Sequence, residues 1–136
     1  MFFPDIDAVD KEDANRKLCA LIEENQSVPE GFADAFIKRE SYGSTDFGDI
    51  TALAHPFGVV TEQTFAAVGI LKNPVNWGKK MIRIVILISM ADQVDDYLEE
   101  FYQKTSRFML DRSKPKKLLA NPTYDKLLEL LKDDQS

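Results

Sequence analysis

The sequence has very few of the side chains that most often build metal and redox sites. It contains one cysteine, Cys19, and one histidine, His55, among 136 residues. A single cysteine excludes an internal disulfide and a cysteine-based zinc site, and a single histidine excludes a cluster of histidines around a metal. The glycines Gly43 and Gly48 form neither a GxGxxG pattern nor a P-loop. We therefore expect no metal site and no cofactor.

Long apolar runs and an excess of positive charge are also missing. The longest uncharged apolar run covers residues 84–91, well short of the ~20 residues that cross a membrane. No basic stretch precedes an apolar segment near residue 1, as it would in a secretory signal. The net charge of −6 argues against a surface that binds nucleic acid. These features predict a soluble, cytoplasmic protein with no membrane insertion and no direct nucleic-acid contact.

The composition is that of a folded α/β domain. Hydrophobic residues make up 44% of the chain and charged residues 29%, which is typical of globular proteins. The length predicts one domain over residues 1–136. The order of predicted elements is helix, helix, strands and then helices, which favours a sheet covered by helices.

Apolar spacing predicts two helices in the first part of the chain. Asp10 has the character of an N-cap for a helix over Lys11–Asn25. A second helix is predicted after Ser27, with Pro29 in its first turn. Its apolar stripe includes Phe36 and ends at Arg39, so we expect the guanidinium to lie at the rim of the core rather than in open solvent.

The remaining elements are predicted from alternation and helical spacing. The continuous β-branched run at 81–90 indicates a central strand that is covered on both faces. Pro4 limits the first strand to the edge of a sheet. Strands are predicted at 2–7, 50–54, 64–71 and 81–90, with a turn at 72–78. Helices are predicted from Val94 to Phe108, from Pro115 and from Thr123. Tyr102 and Tyr124 are expected on the buried faces of the first and last of these helices.

His55 is the only side chain with an ordinary pKa near neutrality. Because Pro56 follows it, we expect His55 at the end of a strand that opens into a loop. A lone histidine at such a corner is more often structural than catalytic. The segment 39–56, however, combines an arginine, two hydroxyls, a glycine turn and this histidine, which favours a chemical role.

The same segment resembles the active-site motif of the enzyme IIA domains of the fructose/mannitol class of the bacterial sugar phosphotransferase system. The resemblance extends to residues 7–18, 85–89 and 124–128. It is closest to the versions fused to transcriptional regulators and antiterminators. The matching residues are Arg39-Glu40, Ser44-Thr45, Gly48-Asp49 and Ala52-Leu53-Ala54-His55.

This resemblance implies a fold and a mechanism. The fold is α/β, with a mixed sheet of about four to five strands flanked by helices on both faces. His55 accepts a phosphoryl group from the phosphocarrier protein HPr, and Arg39 steadies the phosphoryl oxygens. A IIB domain or a sibling regulatory domain is the next partner. The hydroxyls of Ser44 and Thr45 are either extra donors to the phosphoryl group or turn-forming groups that satisfy the backbone.

The chain departs from the family pattern at three places. Ala54 replaces the usual proline before the histidine. Asp49 replaces an asparagine at the predicted phosphoryl or partner contact, which adds negative charge near an incoming dianion. The segment 92–98, with Asp96 or Tyr97 nearest the position, lacks the second histidine of many transport members. The missing second histidine favours a regulatory module over sugar transport.

Other functions remain open from the sequence. One is a IIA component that passes phosphate to a IIB partner in sugar uptake. Another is a degenerate interaction module that takes no phosphoryl group. A third is an unrelated small-molecule enzyme in which His55 works with Asp46, Asp49 or Glu40 as acid–base groups.

Overall fold

The computed structural model describes residues 1–56, 61, 64–89, 91 and 96–132, with only the backbone described for 96–98. Along these residues one strand is followed by two helices, then three strands, then three helices. They are β1 (Phe2–Ile6), α1 (Lys11–Asn25), α2 (Phe32–Glu40), β2 (Thr51–Ala54), β3 (Phe65–Asn76), β4 (Met81–Ser89), α3 (Asp96–Leu110), α4 (Lys114–Ala120) and α5 (Tyr124–Lys132).

The strands form one mixed sheet in the order β1-β3-β4-β2. β1 runs parallel to β3, β3 runs antiparallel to β4, and β2 runs parallel to β4. β4 is therefore an interior strand and β1 lies at an edge, as the sequence predicted. β2 lies at the other edge, and the end of this strand carries His55.

Side chains of the sheet alternate between two apolar clusters, one on each face. Along β4, Val85 and Leu87 join the cluster that contains α1 and α2. Ile84, Ile86 and Ile88 join the cluster that contains α3, α4 and α5. This period of two is the pleat of a strand buried on both faces. The predicted α/β fold, a mixed sheet with helices on both faces, is confirmed.

The first helix has the predicted bounds and the predicted cap. The Asp13 backbone N–H donates to the Asp10 carboxylate at 2.8 Å, which satisfies one of the free donors in the first turn. Leu18, Cys19 and Ile22 are buried against the sheet. The apolar spacing read from the sequence therefore identified the buried face of α1 correctly.

The second helix begins later than predicted. It starts at Phe32, and Gly31 before it has a φ of 80°. That left-handed conformation favours glycine and interrupts a regular helix. Pro29 consequently lies in the preceding turn, where its carbonyl accepts from the Phe32 N–H at 3.2 Å, and not in the first turn of α2.

The predicted turn at 72–78 was wrong because β3 continues through Asn76. The pairing of β3 with β4 shifts between Ile70 and Val75, and Pro74 lies within this irregularity. A bulge tolerates proline because the extra residues are outside the hydrogen-bonded ladder. The chain instead reverses at Trp77–Lys80, where the Trp77 N–H donates to the Lys80 carbonyl at 2.9 Å.

The C-terminal helices were predicted correctly in type but not in every buried residue. Phe108, Leu118 and Leu127 are buried, whereas Tyr102 and Tyr124 are 47% and 53% exposed. The predicted start of α3 at Val94 lies outside the described residues. Among the residues that the structure describes, no helix combines the length and apolar character needed to cross a membrane.

Candidate functional site

His55 directly follows β2 at the carboxyl end of that strand. Its side chain is partly exposed, whereas Pro56 and the four residues of β2 are buried. Because Ala54 pairs with Leu87 of the parallel strand β4, the histidine lies at the edge of the sheet where β2 and β4 both end. The imidazole is thus held by a rigid strand and is accessible from solvent.

Hydroxyl groups lie at the same edge of the sheet. The Ser89 hydroxyl at the end of β4 and the Thr61 hydroxyl are 2.9 Å apart, and both residues are buried. The Ala91 N–H donates to the Thr64 hydroxyl at 2.8 Å. These contacts fasten the segments that leave and enter the sheet beside His55.

Arg39 lies in the last turn of α2 and is partly exposed. Its Nη1 donates to the Gly43 carbonyl at 2.9 Å. The buried face of α2 ends at Glu40 and not at Arg39 as predicted, and the partly exposed guanidinium is tied to the loop that follows α2.

That loop returns along the outer edge of β2. Asp46 and Ala52 form an antiparallel bridge. The Phe47 N–H donates to the Thr51 carbonyl at 2.8 Å, and the Leu53 N–H donates to the Thr45 carbonyl at 2.9 Å. The loop carrying the predicted Ser44-Thr45 pair is thus bonded to the strand that carries His55.

The hydroxyls of Ser44 and Thr45 both have hydrogen-bond partners in the folded chain. Ser44 Oγ donates to the Trp77 carbonyl at 2.8 Å and accepts from the Asp46 N–H at 3.3 Å. Thr45 is buried, and its hydroxyl donates to the Glu40 carboxylate. Both hydroxyl protons are thus used in the fold, and a contact of either hydroxyl with a phosphoryl group stays a prediction.

Glu40 is the centre of a buried polar cluster. Its Oε1 accepts from the Trp77 indole N–H at 3.2 Å, and its Oε2 accepts from the Thr45 backbone N–H at 3.3 Å. The Lys11 ammonium lies 3.6 Å from Oε2. The Trp77 indole also contacts the Thr45 hydroxyl at 3.2 Å. We call Lys11, Glu40, Thr45 and Trp77 the Glu40 cluster.

Neither Glu40 nor Trp77 was predicted to form a buried polar cluster. A signal was present, because Phe32, Phe36 and Glu40 are spaced by four residues and share one face of a helix. That face points into the core, so a carboxylate on it needs buried partners. Sequence alone does not show that Trp77, far along the chain, is one of those partners.

Asp49 is exposed and precedes β2, whereas His55 follows it. The four residues of β2 lie between them, so the two side chains are attached at opposite ends of a strand that rises ~3.3 Å per residue.

Gly48, the residue before Asp49, has a φ of 84°, and a Cβ at this position would be 2.1 Å from the Met109 carbonyl oxygen. This glycine therefore permits close approach of the loop to α3.

Cys19 does not offer a second nucleophile. It is fully buried in α1. Burial, followed by the charge of nearby Glu23, raises the pKa of the Cys19 thiol to about 12. Because the thiolate is the reactive form, the thiol is inert near neutral pH.

One cavity enclosed by described residues has a lining that does not include His55. An apolar cavity of about 310 Å³ lies between α3, α5 and the edge of β1 and β3, lined by residues such as Met1, Phe101 and Leu127. Within the described ranges, no three or more histidine, cysteine, aspartate or glutamate side chains group together as metal ligands would. His55, Arg39 and the loop between them stay the predicted site.

The protein is an α/β domain in which a helix-covered mixed sheet presents a partly exposed histidine at a strand end. The chain belongs to the family described as "Phosphoenolpyruvate-dependent sugar phosphotransferase system, EIIA 2", which matches residues 1–134.

Three relatives illustrate the similarity. The chain is 26% identical to a probable licABCH operon regulator of Bacillus subtilis (strain 168) over 130 residues, which is 96% of this chain but only 20% of that protein. The nitrogen regulatory protein IIA-Ntr of Neisseria meningitidis has a TM-score of 0.81 at 17% identity, covering 96% of this chain and 92% of that one. The IIA mannitol domain of Escherichia coli, solved in complex with phosphorylated IIB, has a TM-score of 0.79 at 21% identity, covering 96% and 93%.

Proposed function

We propose that residues 1–136 form one phosphoryl-accepting domain in which His55 takes a phosphoryl group from the phosphocarrier protein HPr. A ring nitrogen with a free lone pair attacks phosphorus, and the nitrogen–phosphorus bond forms as the bond to the donor breaks. The donor atom keeps the electron pair of that broken bond. The observation that carries this proposal is a partly exposed imidazole at a rigid strand end in a chain of the EIIA 2 family.

Arg39 supplies the positive charge for this transfer. The loop and β2 pair in an antiparallel register with Asp46 opposite Ala52. The Leu53 N–H also donates to the Thr45 carbonyl, so the loop after α2 lies along the strand that His55 follows. The Arg39 guanidinium binds the Gly43 carbonyl of the same loop. This placement supports a guanidinium that reaches phosphoryl oxygens on His55.

Positioning and charge neutralisation provide most of the catalysis in phosphoryl transfer. Arg39 has several donors in a planar fork, which suits phosphoryl oxygens. Ser44 and Thr45 hold the loop in place, since their hydroxyls donate to the Trp77 carbonyl and to the Glu40 carboxylate. Asp49, attached before β2, contributes charge to the partner surface rather than a direct contact with His55.

The regulatory role of this domain is the second part of the proposal. It is supported by the 26% identity to the probable licABCH operon regulator, of which the chain spans 20% of the length. Phosphorylation of His55 would then report the state of the phosphotransferase system to the rest of such a protein. The proposal includes the predicted cytoplasmic location.

A transport role is the alternative. It is supported by the likeness to the mannitol IIA domain that was solved with phosphorylated IIB. In that case the phosphoryl group moves on from His55 to a cysteine of a IIB partner. The departures at Asp49 and Ala54 keep a third alternative open, in which the domain binds partners without accepting a phosphoryl group.

The test is phosphorylation by a reconstituted system. The chain is incubated with phosphoenolpyruvate, enzyme I and HPr, and intact mass is measured before and after acid treatment. We expect an acid-labile mass increase of one phosphoryl group, absent in His55→Ala and without HPr. A wild-type chain that gains no mass but still binds HPr supports the interaction module. A mass increase that survives His55→Ala overturns the assignment of His55.

Transfer onward distinguishes the two phosphorylated alternatives. The phosphorylated chain is mixed with fructose- or mannitol-class IIB domains, and the loss of its phosphoryl group is followed by mass. Rapid transfer to a IIB cysteine supports the transport role. A phosphoryl group that stays on this chain and changes its binding to a sibling regulatory domain supports the regulatory role.

A further inference from the structure

A buried carboxylate lies directly after Arg39 and takes no part in the proposed transfer. The Glu40 side chain is only 4% exposed. A carboxylate at such a depth is unfavourable unless hydrogen bonds and opposite charge compensate its lost hydration. Thr45, Trp77 and Lys11 provide that compensation, so the arrangement is well satisfied.

Each partner of Glu40 belongs to a different part of the fold. Lys11 is the first residue of α1, and Trp77 follows β3 at the turn to β4. Thr45 lies in the loop that pairs with β2, since its carbonyl accepts from Leu53. One carboxylate at the end of α2 therefore joins α1, the β3–β4 turn and the edge of β2.

The loop from Gly43 to Thr45 is held at both ends by consecutive residues of α2. Arg39 donates to the Gly43 carbonyl at 2.9 Å. Glu40 accepts from the Thr45 backbone N–H and the Thr45 hydroxyl. The strand beside this loop ends at Ala54, and His55 directly follows it.

We propose that Glu40 is a positioning residue, whose buried contacts with Thr45, Trp77 and Lys11 fix the Arg39 guanidinium relative to His55. The catalytic consequence rests on the proposed function, whereas the positioning itself does not. Glu40 acts through the loop and through Arg39 and contacts no phosphoryl group. A guanidinium displaced by ~1 Å would bind the phosphoryl oxygens less well in the transition state.

The first test replaces the carboxylate by its nearest isostere. Glu40→Gln removes the charge and puts a donor where one of two acceptor oxygens was. We expect transfer from phosphorylated HPr to slow on the order of 10-fold to 100-fold, in kcat rather than in the KM for the donor. Glu24→Gln, an exposed glutamate of α1, is the matched control and should transfer at the wild-type rate.

A second pair of variants separates positioning from packing. Thr45→Val keeps the size of the side chain and the backbone bond to Glu40 but loses the hydroxyl's bonds to Glu40 and Trp77, and we expect it to slow transfer. Thr45→Ser restores the hydroxyl with less bulk, and we expect it to recover most of the rate. Equal rates in the two variants would contradict the proposal. This pair also keeps the proposal testable if Glu40→Gln does not fold.

A double-mutant cycle asks whether Glu40 acts through Arg39. In an Arg39→Ala background there is no guanidinium left to position. Glu40→Gln should then slow transfer by less than about twofold, compared with tenfold or more in the wild-type background. The same fold-change in both backgrounds would show that Glu40 supports the fold without positioning Arg39.

Nuclear magnetic resonance reads the positioning without any phosphoryl donor. Trp77 is the only tryptophan, so its indole N–H gives a single assigned signal. In Glu40→Gln we expect this signal, the Arg39 Nε–H and the Gly43 amide to shift together, while Glu24→Gln leaves them unchanged. Unchanged Arg39 and Gly43 signals would overturn the proposal. If the wild-type chain takes no phosphoryl group, the proposed function fails and these spectra still decide the role of Glu40.

Discussion

The two helical layers on the sheet differ in what they bury. The layer of α3, α4 and α5 packs residues such as Phe108, Leu118 and Leu127 against isoleucines of β4. Thr105 is buried in α3, but its hydroxyl bonds carbonyls of its own helix. The layer of α1 and α2 also has an apolar centre, but its rim contains the Glu40 cluster.

This difference separates stability from positioning. Apolar contacts are non-directional and scale with buried area, so the α3–α5 layer stabilises the sheet without fixing any particular side chain. Hydrogen bonds to a buried carboxylate require definite geometry. The Glu40 cluster lies in the layer of α1 and α2, where its hydrogen bonds hold the loop after α2 beside β2.

Removing a large side chain from the apolar layer should cause the largest loss of stability. Phe108 is fully buried, so Phe108→Ala should cost about 3–5 kcal/mol of unfolding free energy, measured by urea denaturation. The folded fraction should still accept phosphoryl groups at the wild-type rate. Leu110→Ala, which is 63% exposed in the same helix, should cost less than about 0.5 kcal/mol. Slow transfer by folded Phe108→Ala would break the division between the two layers.

Gly48 is the position where the site loop meets the apolar layer. Gly48→Ala adds a Cβ only 2.1 Å from the Met109 carbonyl oxygen and retains a φ of +84°. We expect a loss of roughly 2–3 kcal/mol from strain and displacement of the loop. Gly31→Ala is the control, because φ is +80° there with nothing within 4 Å of the added Cβ, and it should cost about 1 kcal/mol. Equal losses would mean that the contact with α3 adds nothing.

The cap of α1 should have a smaller effect. Asp10 accepts from the Asp13 N–H at 2.8 Å, so Asp10→Ala should lower stability by about 1 kcal/mol. Asp10→Ser retains a capping oxygen and should keep most of that stability. Asp10 is not a member of the Glu40 cluster, so a folded Asp10→Ala variant should transfer at nearly the wild-type rate. Because Lys11 is the next residue in the chain, a large decrease would extend the positioning role to the cap.

The smallest effect concerns pH. The Val9 backbone N–H, assisted by Lys17, holds the pKa of Asp13 below its ordinary value of 3.8. A lowered carboxyl pKa stabilises the fold above the ordinary value, and this contribution is lost as pH falls through the lowered pKa. Asp13→Asn should therefore be less stable by a few tenths of a kcal/mol at pH 7, with the difference shrinking below pH ~4. A difference that stays constant down to pH ~2 would contradict this linkage.

The local elements could largely be predicted from sequence. The cap and bounds of α1, the central β4 and the edge position of β1 follow from propensity, periodicity and proline chemistry. The predictions failed where tertiary contacts outweighed local signals. β3 continued through Pro74 because a bulge accommodated it, and α2 began only after Gly31 adopted a positive φ.

The candidate site could be predicted only in part. His55 and Arg39 were predicted as site residues from a short motif, and the structure ties Arg39 to the loop bonded along β2. The approach of the guanidinium to the imidazole stays a prediction. The partners of the Ser44 and Thr45 hydroxyls, Trp77 and Glu40, could not be predicted, because they depend on how the chain folds, and a contact with a phosphoryl group stays a prediction.

By itself, the sequence determined the alternation of apolar residues, the single histidine before a proline and the arginine at the end of an apolar stripe. These are properties of residues near one another in the chain, and local sterics and burial are sufficient to read them. Only the tertiary structure decided that Trp77 and Lys11 meet the carboxylate of Glu40. Contacts between distant segments depend on how strands pair and helices dock, which no local pattern specifies.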